Sequence, residues 1–233
     1  DFNRRTDIFR HDLDTGETVR VSVGTAGNEG SGNSYNPAIS ADGSAVAFYS
    51  TSGELIEGMR IYGTHIYVRF PDAGETFMAS VNSQGERGNR SSSLPGLSAD
   101  GSVVAFQSYA DNLVPGDTNG KSDVFVHDLW NGQTVRVSVS SQGEQGNDSS
   151  GTRSGPSISS DGWIVAFGSY ADNLVPDDDN GQHDIFVHDR FTGETVRASV
   201  NEYGEGGNGV SYAHALSPDG RYVAFASLAD NLV

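Results

Sequence analysis

The sequence predicts an all-β fold, a β-propeller most simply read as four blades of four antiparallel strands, and three observations carry that expectation. The phrase Asp-Gly-x-x-Val-Ala-Phe begins at Asp42, Asp100, Asp161 and Asp219, so one unit recurs at spacings of 58, 61 and 58 residues. A second phrase keeps the same beat, running over residues 7–12, 65–70, 123–128 and 184–189, where Asp123-Val124-Phe125-Val126-His127-Asp128 is typical. The third observation is compositional: 30 glycines and 35% hydrophobic residues suit short strands joined by tight turns.

Each unit holds four strand candidates, which in the third complete unit are residues 155–159, 163–169, 184–188 and 194–200. Asp161-Gly162 and Thr192-Gly193 supply tight turns between neighbouring strands. The second and third strands are nearly continuous apolar runs, as expected where both sheet faces are covered. The fourth alternates, with Val196 and Val200 on one side and Thr195, Arg197 and Ser199 on the other, so it predicts an outer strand with Val196 packed and Arg197 wet. A unit that cannot bury its faces alone, repeated at a fixed period, builds a propeller. The expected organisation is one domain over residues 1–233, with complete repeats near 34–81, 92–139 and 153–200.

The remaining repeat is split between residues 1–23 and 215–233. Asp1-Phe2-Asn3 matches the loop that the phase of the repeat would place two residues beyond Val233. The expectation is a ring closed by pairing residues 7–11 with residues 222–227, a pair of such chains forming a larger ring being the alternative. The chain begins at Asp1 without Met, so a processed, trimmed or partial form is expected.

With 31 Asp and Glu against 14 Lys and Arg, the formal charge is −17. Phosphate neutralisation needs a basic surface, so no nucleic-acid partner is expected. No apolar run approaches the ~20 residues of a membrane span, and none is expected. There is no cysteine to staple the fold.

The acidic surplus gathers in two loops that spell Asp-x-Asn-Gly-x-x-Asp, one at Asp117, Asn119, Lys121 and Asp123, the other at Asp178, Asn180, Gln182 and Asp184. Calcium takes six to eight oxygens, and alternate side chains, a glycine turn, a backbone carbonyl at Lys121 or Gln182 and a later carboxylate could supply them. Calcium is therefore the expected cofactor. An Asx turn closed by its own side chains is the competing reading. A weaker copy has Asp1, Asn3 and Asp7, with Arg4 in place of the glycine, while the fourth loop has Met59, Ile61, Tyr62 and His65 and cannot form an oxygen cage. Its apolar residues are expected to fold inward.

The Ser-x-Asp-Gly-x-x-Val-Ala-Phe phrase followed by Asp-x-Phe-Val-His-Asp resembles TolB-like β-propeller repeats of bacterial proteins over essentially the whole chain. The stretch 110–120, Ala-Asp-Asn-Leu-Val-Pro-Gly-Asp-Thr-Asn-Gly, is similar to a variant of secreted or envelope-associated bacterial proteins. The resemblance implies a secreted or periplasmic address and a protein- or glycan-interaction scaffold without a shared catalytic set.

The loops after the second and fourth strands emerge on one face and are the long ones, so protein or glycan binding is expected there, with a homodimer as a further possibility. His11, His127 and His188 share one repeat position and read as architectural. His214 stands where other units have proline, and with Tyr212, Tyr109 and Tyr170 it is a candidate ligand-binding residue. No nucleophile–base pair stands out, so the reading is a non-catalytic, calcium-stabilised binding or scaffold module, with a sugar-binding lectin as the alternative and the propeller part of a secreted hydrolase or lyase as the second alternative.

Overall fold

The computed structural model describes residues 2–59 and 61–233. Among the described residues, sixteen strands form five antiparallel sheets. A two-stranded sheet of β1 (Phe9–His11) and β2 (Thr18–Arg20) comes first. Three four-stranded meanders follow: β3 (Ser34–Ile39), β4 (Val46–Ser50), β5 (His65–Phe70) and β6 (Glu75–Met78); β7 (Ser92–Leu97), β8 (Val103–Ser108), β9 (Asp123–Asp128) and β10 (Thr134–Arg136); then β11 (Ser157–Ile158), β12 (Ile164–Ser169), β13 (Asp184–Asp189) and β14 (Thr195–Arg197). The last sheet pairs β15 (Ser211–Leu216) with β16 (Val223–Ser227). Among the described residues no helix is long and apolar enough to cross a membrane.

The apolar second and third strands do what their composition requires. Phe106 and Phe125, Phe167 and Phe186, and Phe48 and Tyr67 stack across the β8–β9, β12–β13 and β4–β5 ladders, with centroids 6.0, 6.0 and 5.9 Å apart and every ring fully buried. The cores lie between successive sheets: Ala45, Ile66 and Val68 pack on Val104 and Phe106, and Val124 and Val126 pack on Val165 and Phe167. Burying each such ring stabilises by about 1.5–3 kcal/mol.

Three expectations from the sequence differ from the structure. The fourth strand alternates in the opposite sense: Thr195 is 4% exposed and Ser199 fully buried, whereas Val196 is 44% exposed. The polar side faces inward because it is consumed in hydrogen bonds, described below. The expected pairing of residues 7–11 with residues 222–227 is not formed either, since β1 bonds only to β2 and β16 only to β15. The phase of a repeat counts residues along the chain, whereas closure depends on the angle between successive sheets, which that phase does not encode. The first strand of the third complete repeat is also shorter than expected, two residues, Ser157–Ile158.

Polar joints link the sheets, and they recur. The fourth-strand threonine donates Oγ1 to the carbonyl of the preceding sheet's Val: Thr76 to Val23, Thr134 to Val81 and Thr195 to Val139, at 2.7, 2.5 and 2.6 Å. The same threonines' N–H groups donate to Thr25, Ser83 and Ser141 hydroxyls. Two of them also receive an imidazole, His127 Nδ1 lying 2.8 Å from Thr134 Oγ1 and His188 Nδ1 2.8 Å from Thr195 Oγ1, while Thr76 Oγ1 accepts from Arg69 Nη1 at 3.0 Å. His11 makes the equivalent 2.7 Å contact with Thr18, which shows that these three histidines are architectural. At the tight-turn end a one-way relay runs from Ala41 N to Ala99 O, Ala99 N to Ser160 O and Ser160 N to Pro218 O. Pro218 has no N–H with which to continue it.

The Asp-Gly turns dock against the preceding sheet. Gly162 has φ +76°, and a Cβ there would lie 2.9 Å from Val103 Cβ. The turn thus needs glycine for conformation and for space.

Candidate binding face

The long loops lie together on one face, as expected, because hydrogen bonds join the loop after a fourth strand to the loop after the next sheet's second strand. Asn89 Nδ2 donates to Asp111 at 2.7 Å, and Asn147 to Asp172 and Asn208 to Asp230 repeat that contact.

Within these loops the structure gathers Asp117, Asn119 and Asp123, and also Asp178, Asn180 and Asp184. Asn119 Oδ1 accepts the Lys121 N–H at 2.9 Å, forming an Asx turn, while its Nδ2 donates to Asp123 Oδ2 and to Gly146 O. Turning that amide over would set its oxygen against two acceptors, so the network fixes its orientation. Asn180 repeats the pattern, accepting from Gln182 N and donating to Asp184 and Gly207 O. Lys121 Nζ points away, to Asp148 at 2.8 Å.

The charge facing these carboxylates is a guanidinium that the sequence reading placed in solvent. Arg136 Nη1 lies 3.3 Å from Asp117 Oδ1 and 3.7 Å from Asp123 Oδ2. Arg197 Nη1 lies 2.8 Å from Asp178 and 3.9 Å from Asp184. Ser138 and Ser199 hydroxyls hold the other oxygen of Asp123 and Asp184. Burial pushes Asp117 up to about 6, Asp123's charge adds to the shift, and Arg136 opposes it. Asp178 is likewise pushed up to about 6, by burial first and against Arg197.

As arranged, the loops do not fit a calcium cage: the Asn oxygens are already used in the turns, and an arginine faces each carboxylate pair. Among the described residues, no three of His, Asp and Glu form a metal-holding group. One feature favours a cation nonetheless, since the buried Asp117 Oδ1 accepts no hydrogen bond.

In the weaker copy Asn3 donates to Asp7 and Gly30 O and accepts from Arg5 N, with Arg4 at φ 56° replacing the glycine. Arg20 lies 3.6 Å from Asp7. Asp1 lies outside the described residues. The fourth loop swaps the whole set: His65 stands for the carboxylate, Met78 for the arginine, and Met59 and Ile61 pack on the core while Tyr62 is 82% exposed. Inward folding therefore holds for two of the three apolar residues.

Burial, with Arg87's charge as a smaller cause, lowers His65 to about 4 from 6.5. An imidazole depressed in this way supports the fold above pH 6.5, and its contribution is lost as pH falls towards 4, a span worth roughly 3 kcal/mol. His65→Leu should therefore lose less stability than the parent between those pH values in denaturant melts. Equal losses would show that His65 is not the titrating group.

Of the candidate ligand residues, Tyr109 and Tyr170 occupy equivalent positions on neighbouring sheets and are 48% and 39% exposed. Among the described residues, Tyr170 belongs to a cluster that no other repeat contains. Arg153 Nη2 donates to its hydroxyl at 2.7 Å, and His183 meets its ring edge-on at 4.7 Å. His183 Nε2 contacts Thr152 Oγ1 at 2.9 Å. His214 Nδ1 lies 3.1 Å from Ser154 Oγ, and its Nε2 lies 3.0 Å from Ala166 O on the preceding sheet. Burial lowers both imidazoles, so they are neutral at pH 7. Tyr212 lies on β15 near His214 but has no contact with this group that stands out. The sequence reading missed Thr152, Arg153, Ser154 and His183, although the spacing of 61 rather than 58 marks the three-residue insertion that creates the cluster.

No family model matches the sequence, and no curated protein matches it. Among solved structures, TolB from Acinetobacter baumannii aligns with a TM-score of 0.54 at 19% identity, over 94% of this chain and 42% of that one. The fold is a TolB-like β-propeller. Other propellers align too: a prolyl endopeptidase at TM-score 0.54 and 12% identity, over 98% of this chain and 34% of that one, and a putative TolB from Agrobacterium tumefaciens at 0.47 and 16%, over 98% and 79%. This propeller chain spans less than half the length of the first two. At these identities the likeness carries the fold alone.

Proposed function

We propose that the chain is a non-catalytic propeller that acts as a binding or scaffold module in a secreted or periplasmic setting and meets a protein partner through its long-loop face. The observation that carries this reading is the use made of its reactive groups. The recurring Asp, Ser, Thr, Arg and His side chains are engaged with one another in the same joints from sheet to sheet. Groups held that way position strands rather than substrates. The Thr152–Arg153–Ser154 insertion departs from the repeat and is the place where partner selectivity would reside.

Tyr109 and Tyr170 favour the lectin alternative, since equivalent aromatics on neighbouring sheets could stack on sugar rings. A glycan array read in calcium and in chelator separates the two. The scaffold reading expects no retained glycan. Calcium-dependent retention that Tyr170→Ala abolishes would replace it with a lectin. The third possibility, the propeller part of a secreted hydrolase or lyase, draws only on the shared fold of larger enzymes.

Calcium in the loops 117–123 and 178–184 is the second reading of the charge clusters, favoured by the unbonded Asp117 oxygen. It requires Arg136 to withdraw and Asn119 to turn. If arginine is the resident cation, the protein melts at one temperature in calcium and in chelator. A rise in calcium that disappears in Asp123→Ala/Asp184→Ala would establish the ion instead.

A further inference from the structure

We infer that Met59, His65 and Met78 form a binding site for a soft monovalent metal ion, copper(I), in the unit that lacks the Asp–Asp–Arg set. The neighbouring units show where these three positions lead. Arg136 Nη1 lies 3.3 Å from Asp117 Oδ1 and 3.7 Å from Asp123 Oδ2, and Arg197 repeats the arrangement at 2.8 and 3.9 Å from Asp178 and Asp184. One loop position, the first residue of the third strand and the last of the fourth therefore converge on a single point. In the β3–β6 unit the repeat places Met59, His65 and Met78 there, which accounts for both methionines of the chain.

The histidine supplies a second, independent observation. His65 is fully buried, and among the described residues its Nε2 has no hydrogen-bond partner. A buried polar atom left unpaired costs free energy that a leucine in the same place would not, so packing alone does not account for an imidazole here. Its other nitrogen is held: Nδ1 lies 3.2 Å from Ser80 Oγ, a hydroxyl that also accepts the Ile66 N–H. Metal-binding imidazoles carry such a contact on the nitrogen away from the ion. With Nδ1–H donating to Ser80, Nε2 presents a bare lone pair.

The methionines complete the donor set. Met78 is 8% exposed in the core cluster that also holds Phe48 and Tyr67, and Met59 packs against the same cluster. Two thioethers and an imidazole are soft, neutral ligands, which suit copper(I) and offer calcium no oxygen. They also bring no negative charge to offset a buried divalent ion, and Arg87, whose charge reaches His65, adds to that penalty. A single positive charge is therefore favoured over two. Access comes from a cleft of about 300 Å³ along Gly53, Met59, Ile61 and Tyr62, which opens beside one of the ligands.

The test is anaerobic equilibrium dialysis of the metal-free protein against copper(I) buffered by a chromophoric chelator, with metal and protein counted afterwards. One copper(I) should be retained per chain, with sulfur neighbours in its X-ray absorption spectrum. Met59→Leu and Met78→Leu nearly conserve volume, so each should leave the melting of the metal-free protein almost unchanged while weakening retention by more than about tenfold. The double variant Met59→Leu/Met78→Leu should retain none. Silver(I), a soft ion that does not change oxidation state under these conditions, should follow the same pattern. Failure to retain copper(I), or retention that the double variant leaves intact because other histidines hold the ion, would overturn the proposal. Zinc(II) retained by the parent and lost in the double variant would overturn the choice of a soft monovalent ion.

Discussion

Arg136→Ala should lower the stability of the protein by about 3–5 kcal/mol near pH 7.5, because it leaves the carboxylates of Asp117 and Asp123 facing each other without a countercharge. Asp117 is 3% and Asp123 0% exposed by side chain, so water cannot replace the guanidinium. The loss should shrink on acidification, and the sign follows from Asp117. Its folded pKa of about 6 lies above the ordinary 3.8, so between those values the folded protein binds more protons than the unfolded chain. Removing Arg136 takes away an influence that lowers that pKa, which widens the window. The variant should therefore gain stability relative to the parent as pH falls from 7.5 to 5, measured by chemical denaturation. The molecule contains its own rescue experiment. In the β3–β6 sheet the three positions are Met59, His65 and Met78, and the joint is intact. The triple substitution Asp117→Met/Asp123→His/Arg136→Met should recover most of the loss. If the triple variant is no better than Arg136→Ala, the charge cluster is not what the site requires.

The second large effect is expected at Gly162. Gly162→Ala should cost roughly 2–4 kcal/mol, combining a left-handed residue at φ +76° with a methyl placed 2.9 Å from Val103 Cβ. Gly143→Ala separates the two contributions, since φ is +81° there and nothing lies within 4 Å of the added carbon. It should cost about 1–2 kcal/mol. Thermal melts of both variants measure the difference, and equal costs would mean that the packing of turn against sheet contributes little.

Much of the architecture could be read from residues alone, because the apolar strands carry their burial in their composition. Val104-Ala105-Phe106 on β8 and Val124-Phe125-Val126 on β9 are unbroken apolar runs and are fully buried. The fourth strands misled for a physical reason. A Thr-Val-Arg triplet reads as valine in and arginine out only if hydrophobicity decides, and here the threonine's hydrogen bond to the preceding sheet and the arginine's contacts with its own unit's loops decide instead. Arg136 and Arg197 were invisible as partners of the Asp loops because 13 to 19 residues separate them in sequence, and only the return of the fourth strand brings them together. The Asp-x-Asn-Gly-x-x-Asp spacing identified the right carboxylates but could not say which way Asn119 turns its amide. The Arg153 cluster was announced by three extra residues, a signal in the length of the repeat rather than in any motif.

The threonine joint is directional. Its donors always belong to the later unit and its acceptors to the earlier one, so every contact of this kind has a polarity. Through this joint an earlier unit can meet only a later one, so like faces do not match and contacts of this kind string successive units in a single direction, as unlike ends do in a polymer.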